Sequence, residues 1–352
     1  METTMEKHIH GGDVYHHQGC IDFSANCNPL GTPEGIKRAI IESLDHINDY
    51  PQVGCAPLKE AIAEYENVKA GQVICGNGAA EVIFSLCRAE NPKKALVPAP
   101  TFAEYQQALY SIDCQVEFFP LDEKKQFALG EDFLEALTEE IDIIFLCNPN
   151  NPTGLLIEKP LLEKILKRCR ERNILMAVDE CFLDFVQDPE TYTLKEYLDT
   201  YDNLFLLKAF TKRYAIAGVR LGYGLCGNRS LLEKMESMSQ PWNVSSMAQA
   251  AGLAALKETK YVEAGRQMTF AELAYLKEEL TGLGYLVYPS QANYVFFTGP
   301  VDLYEKLEQK KILIRDCSNY TGLSKGYYRV AVKNHEENQQ LVKALEEIDT
   351  GK

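Results

Sequence analysis

At 352 residues the chain is longer than one ordinary domain, so two domains are expected, and 46% hydrophobic with 25% charged residues is the balance of a soluble globular protein with a sizeable core. A formal net charge of -15 argues against nucleic acid or an anionic membrane surface as partner. It leaves an anionic small substrate open, because local arginines decide that.

The opening run M-E-T-T-M-E-K-H-I-H-G-G-D lacks the apolar segment of a secretory signal, and no apolar run reaches the ~18 residues that span a bilayer. The 11 cysteines form no C-x-x-C pair, and Cys75, Cys147 and Cys226 sit inside apolar runs. They read as reduced, buried thiols of a cytoplasmic protein, with neither a disulfide framework nor a metal site. Along the chain, strands are expected over 94–97, 142–147, 174–178, 203–207 and 219–225, with helices over 80–90, 102–112 and 160–171. This alternation predicts an α/β fold, a mostly parallel sheet sandwiched by helices, with function at the carboxyl ends of the strands. After Gly252 the pattern changes to a long charged helix over 259–280, short strands over 285–288, 292–297, 312–315 and 328–332, and a closing helix over 336–348. The expected division is a large cofactor-binding domain, 46–252, and a smaller α+β domain made of 1–45 plus 253–352.

Four segments fall where the sheet predicts strand ends. In C-G-N-G-A-A-E, Cys75–Glu81, a strand gives way to glycines and a helix start. The amides of Ala79 and Ala80 would cradle a phosphate there, although an ordinary glycine turn has the same pattern. In N-P-N-N-P-T-G, Asn148–Gly154, two Asn-Pro steps make a stiff non-helical bend that can present an asparagine amide to a ligand, with Asn151 the candidate. In M-A-V-D-E, Asp179 ends an apolar strand. A carboxylate there calls for a partner such as a protonated ring nitrogen, or else it caps a helix. In A-F-T-K-R-Y-A-I-A-G-V-R-L-G-Y-G, Lys212 precedes Arg220 by eight residues, so an amine can form an imine with a carbonyl cofactor while a guanidinium grips its phosphate. Phe102, in P-T-F-A-E-Y, serves equally as a stacking platform for a flat heterocycle or as core.

Taken together and in this order, these segments resemble the fold-type I enzymes that use pyridoxal 5'-phosphate, over nearly the whole chain. The resemblance implies that Lys212 carries the cofactor, Asp179 pairs with its pyridine nitrogen, Asn151 with its ring hydroxyl, and Phe102 stacks on the ring. Gly78, Ala79, Ala80, Thr211 and Arg220 would hold the phosphate. Tyr50, in D-Y-P, is similar to a tyrosine that reaches the phosphate from the other subunit, which implies a homodimer with shared active sites. Arg329, in Y-Y-R-V-A-V, is similar to an arginine that binds the substrate α-carboxylate. One position departs from the common pattern: D-E-C-F puts Phe182 where many relatives have tyrosine, so that side chain cannot donate to the ring oxygen.

Two branches of the family are the nearest in resemblance, the histidinol-phosphate aminotransferases and the L-threonine-O-3-phosphate decarboxylases of cobalamin biosynthesis. H-G-G-D at 10–13, D-F-S-A-N-C-N-P-L-G at 22–31 and I-L-I-R-D-C-S-N-Y-T-G-L at 312–323 resemble the second. The implied substrate is a phosphorylated amino acid, O-phospho-L-threonine or O-phospho-L-serine, with transamination of the histidinol-phosphate type as the alternative. Arg315, Asn28, Gly31 and His10 are the further candidates for holding it.

Overall fold

The computed structural model describes residues 10–350. The strands are β1 (Ile21–Asp22), β2 (Val73–Gly76), β3 (Lys94–Ala99), β4 (Gln115–Pro120), β5 (Ile143–Cys147), β6 (Leu175–Asp179), β7 (Leu204–Ala209), β8 (Gly222–Cys226), β9 (Leu286–Val287), β10 (Tyr294–Thr298), β11 (Ile312–Leu313), β12 (Arg315–Asp316) and β13 (Tyr327–Ala331). The helices are α1 (Glu34–Ser43), α2 (Ala56–Glu66), α3 (Ala79–Glu90), α4 (Ala103–Tyr110), α5 (Lys159–Glu171), α6 (Phe210–Arg213), α7 (Arg229–Met238), α8 (Ser246–Ala255), α9 (Thr259–Gly282), α10 (Leu303–Gln309) and α11 (His335–Asp349). None of the described helices is long and apolar enough to cross a membrane.

Seven strands form one sheet in the order β2-β8-β7-β6-β5-β3-β4. The run from β7 to β4 is parallel, and β8 lies antiparallel to both its neighbours. The central strands are apolar throughout because both faces are covered: Ile144 and Leu146 of β5 enter one core, while Ile143, Phe145 and Cys147 enter the other. Helix α5 shows how the covering works. Pro160 starts it, and Leu162, Ile165, Leu166 and Cys169 bury one stripe against the sheet. The expected mostly parallel α/β architecture is therefore the observed one.

Three expectations differ in detail. β4 is an additional strand at the sheet edge, where its Q-V-E-F-F-P run is only partly covered and so lacks the apolar continuity of its neighbours. The strand expected over 219–225 starts only at Gly222, because Arg220 takes a left-handed conformation with φ 59°. The strand expected over 312–315 is two: β11 pairs in parallel with β1, and β12 joins the antiparallel sheet β12-β13-β10-β9. This smaller sheet packs under α9 and α11 around a third core that includes Val295, Phe297, Val330, Leu276 and Leu345. The N-terminal segment bridges both regions, with Phe23 in the third core and Ile36 of α1 in the large one.

Candidate active site

The strand ends converge on one cavity of about 450 Å³ between the two sheets, a size suited to a cofactor with a small substrate. Asp179 ends β6, Ala209 ends β7, and Cys147 ends β5, and all three line it. Because β8 runs antiparallel to β7, the chain leaves and re-enters the sheet at the same end. The connection between them brings Lys212 and Arg220 to one rim, with Ala209 paired to Gly222. That antiparallel return is the structural reason for the eight-residue spacing.

Asp179 is buried, accepting from the Tyr105 hydroxyl at 2.6 Å and the Cys181 amide at 2.9 Å. Burial pushes its carboxyl above the ordinary value, and those hydrogen bonds and the Lys212 charge pull the other way. A cationic ring nitrogen would complete the compensation. Lys212 Nζ lies 5.9 Å from the centre of the Phe182 ring. That ring packs edge-on against Tyr294, centroids 5.1 Å apart, so Phe182 contributes wall and no hydrogen bond.

The asparagine-rich loop sorts its three amides by partner. Asn148 accepts from the Ile157 amide at 2.8 Å, and Asn150 bonds Thr101, Thr153 and the Pro100 carbonyl. Both fasten the loop to its surroundings. Asn151 alone of the three lines the cavity. Its Oδ1 accepts from Arg329 and from the Tyr320 hydroxyl at 3.2 Å, which leaves its NH2 group for a ligand.

At the other end, Ala79 and Ala80 open α3 beside Thr211 and Arg220, and all four line the cavity. Gly78 lies just behind. Its φ of 83° and the Arg220 guanidinium packed on its Cα leave no room for a side chain, which is why this turn needs glycine. Arg220, strained in the left-handed region, is anchored by a 3.1 Å bond to the Ala217 carbonyl.

The substrate side carries Arg329, Arg315 and His10. Arg329 is buried, donates to the Ser24 carbonyl at 2.8 Å and to Asn151, and has an Nε with no hydrogen-bond partner among the described residues. Arg315 is held by the Asp316 carbonyl at 2.7 Å and Asn319 at 2.8 Å, over the Tyr320 ring. His10 meets Glu104 at 3.2 Å. Phe102 lines the same cavity.

Three expected residues lie elsewhere. Asn28 is buried outside the cavity, its NH2 donating to the Arg213 carbonyl at 3.0 Å and its oxygen accepting the Leu30 amide at 3.1 Å. Gly31 is on the surface, its amide bonded to the Asn28 carbonyl at 3.2 Å and its carbonyl accepting from Tyr261 at 2.5 Å. Neither lines the cavity. Tyr50 is 78% exposed, stacked on Trp242 at 4.5 Å, and is not among the residues lining the cavity of its own chain. Conversely, Tyr105, Tyr320, Asn319, Glu104 and Asn26 stand at the cavity or its walls without having been singled out. Only the P-T-F-A-E-Y and S-N-Y contexts hinted at the first four.

Comparison with known proteins identifies the family. The family model for class I and II aminotransferases matches residues 18–345. The chain belongs to that family. It is 39% identical to a threonine-phosphate decarboxylase of Salmonella typhimurium, covering 94% of this chain and 92% of the relative. A histidinol-phosphate aminotransferase of Clostridium acetobutylicum superposes with a TM-score of 0.88 at 30% identity, covering 94% and 99%. An L-threonine-O-3-phosphate decarboxylase of Porphyromonas gingivalis superposes with a TM-score of 0.81 at 25% identity, covering 93% and 98%.

As a class I and II aminotransferase family member, the chain is a pyridoxal-phosphate-dependent enzyme. The cavity fits that cofactor. An amine, a helix-start phosphate cradle with an arginine, a buried carboxylate and an aromatic wall occur together, and Arg329 Nε and Asn26 Oδ1 are buried polar atoms without protein partners.

Proposed function

We propose that this enzyme removes the α-carboxylate of O-phospho-L-threonine, or of O-phospho-L-serine, leaving an amino alcohol phosphate of the kind used in the lower loop of a cobamide. The observation that carries the reading is the arginine inventory. Arg220 belongs to the cofactor phosphate end, and two further guanidinium groups, Arg329 and Arg315, line the opposite side. A substrate with both a carboxylate and a phosphate satisfies both, each as a charge-assisted, bidentate pair. The 39% identity with a threonine-phosphate decarboxylase over nearly the full chain supports the decarboxylase branch.

Pyridoxal phosphate, when bound, supplies an electron sink for the pair left at Cα when CO2 departs. The protein's residues do the rest. Lys212 would hold the cofactor through its amine, and its Nζ would carry a proton that can return to Cα. Asp179, oriented by Tyr105 and the Cys181 amide, keeps a proton on the ring nitrogen. The Asn151 amide, fixed by Arg329 and Tyr320, holds the ring oxygen without help from Phe182. Arg329, which lines the cavity, would bind the carboxylate and orient it. Arg315 takes the phosphate, with His10 beside it.

A second reading, an aminotransferase of the histidinol-phosphate type, is favoured by the 0.88 TM-score superposition. Cofactor-loaded protein incubated with O-phospho-L-threonine separates the two. Release of CO2 without any keto acid, with the cofactor spectrum restored, is expected. Absence of CO2, together with amino transfer from histidinol phosphate to 2-oxoglutarate, would overturn the decarboxylase reading.

A homodimer is part of the proposal. Ile41, Leu44, Ile47, Tyr50, Val53 and Trp242 are all exposed on the single chain. Such an apolar surface fits a second copy, whose Tyr50 would reach the phosphate end of this cavity.

A further inference from the structure

Glu104 is a carboxyl group inside a cavity that must receive anions. It stands in the first turn of α4, two residues after Phe102, and lines the cavity with Arg315, Asn319 and His10. One oxygen meets His10 Nδ1 at 3.2 Å. The other is buried and has no hydrogen-bond partner among the described residues. With Arg220 at the cofactor phosphate and Arg329 at the carboxylate, the second substrate anion falls on Arg315, which lines the same cavity as this carboxyl. An ionised Glu104 next to a phosphate dianion is a like-charge contact in a desolvated site. One proton removes the repulsion and turns the carboxyl into a donor.

We propose that Glu104 is a specificity-determining residue that recognises the substrate phosphate as a neutral acid, sharing one proton with it and taking that proton up as the substrate binds. The inference rests on the phosphorylated-substrate reading above. The groups that face Glu104 are His10 from the N-terminal segment, Arg315 from β12, Tyr320 from the loop after it, Lys212 from α6 and Asp179 from β6. Burial dominates and pushes its carboxyl up to about 7, against its own backbone amide and the lowering charges of Arg315 and Lys212, and with the raising charge of Asp179. A phosphate dianion acts in the same direction as Asp179, so binding raises the carboxyl further. A phosphate monoester, whose second pKa is about 6, can share such a proton at neutral pH. A phosphate monoester also offers three terminal oxygens, so one can accept from Glu104 while the others pair with Arg315, whereas a substrate carboxylate offers only two. The device therefore selects phosphate over carboxylate at the Arg315 end.

The test is calorimetric binding of 1-amino-2-propanol O-2-phosphate to the cofactor-loaded enzyme in two buffers of different ionisation enthalpy. Phosphate-free 1-amino-2-propanol gives the baseline for the amine. Wild-type protein is expected to take up about one more proton per site than Glu104→Gln near pH 8, by linkage. Its affinity for the phosphate ester, relative to the baseline amine, should weaken up to about tenfold per pH unit on the alkaline side, while that of Glu104→Gln stays flat. Equal proton uptake by both proteins would overturn the proposal and leave the phosphorylated substrate standing. If the variant does not fold, wild type decides alone, since a pH-independent ratio of the two affinities also overturns it. Failure of wild type to prefer the phosphorylated amine would remove the substrate reading and this inference together.

Discussion

At the scale of single residues, the cavity gathers groups that cost stability and repay it in chemistry. Asp179 is the plainest case. Its folded carboxyl is raised above 3.8, chiefly by burial, so the folded chain binds more protons than the unfolded one. Stability then falls as pH rises through the window above 3.8. Asp179→Asn should raise the melting temperature of the cofactor-free protein at neutral pH, with the gain vanishing near pH 4, while kcat drops by roughly 10²-fold or more. Thermal melts at both pH values and steady-state kinetics check this. Lys212→Ala should eliminate the visible absorption of the bound cofactor and all turnover. In wild type, borohydride reduction should fix the cofactor's mass on the peptide containing Lys212, as mass spectrometry can show.

At the scale of elements, the site depends on how α3, β7 and β8 meet. The Gly78 turn lets Arg220 lie against the start of α3. Gly78→Ala places a methyl group against that guanidinium at a φ of 83° and should cost about 1–3 kcal/mol. It should also weaken cofactor retention at least tenfold, measured by equilibrium dialysis. Beneath the cavity, Glu66 of α2 joins Lys208 of β7, Arg213 of α6 and Lys195, while Glu180 follows β6 and contacts Lys208 at 3.1 Å. Burial raises the Glu66 carboxyl, but the charges of Lys208, Arg213 and Lys195 outweigh that and hold it at about 2. A depressed carboxyl stabilises the fold above its unfolded value of 4.5, and that contribution is lost as pH falls through the folded value of about 2. Glu66→Gln should destabilise the protein by roughly 3–5 kcal/mol at neutral pH, because it leaves buried cations uncompensated. Its urea midpoint should also change less between pH 5 and pH 3 than that of wild type.

At the scale of the molecule, the cavity lies between two sheets, and the N-terminal segment ties them together through β1 on β11. We propose the division into 46–252 and 1–45 plus 253–352 with one change: α1, whose Ile36 sits in the large core, goes with the large unit. In the proposed homodimer the exposed Ile47 becomes buried. Ile47→Glu should therefore give monomers in sedimentation velocity and lose cofactor together with the partner's Tyr50. Tyr50→Phe should leave the dimer intact and weaken cofactor retention several-fold.

Much of this was legible in the chain because parallel strands buried on both faces are written as continuous apolar runs, and the residues ending those runs face the cavity. Asp179, Asn151, Lys212 and Arg220 each sit at such an end or in the connection that follows it, so period and punctuation located them. What the sequence could not give were contacts between segments far apart along it. Asn28 carries a suggestive motif, yet its amide closes on Arg213, 185 residues away. Glu104 looks like any first-turn helical glutamate until His10 is brought against it, and Arg315 into the same cavity, from the two ends of the chain. The sequence alone determined the strand ends and the chemistry placed on them, because these follow from local period. The tertiary structure decided which polar groups share a desolvated cavity, because burial and charge pairing are set by residues hundreds of positions apart.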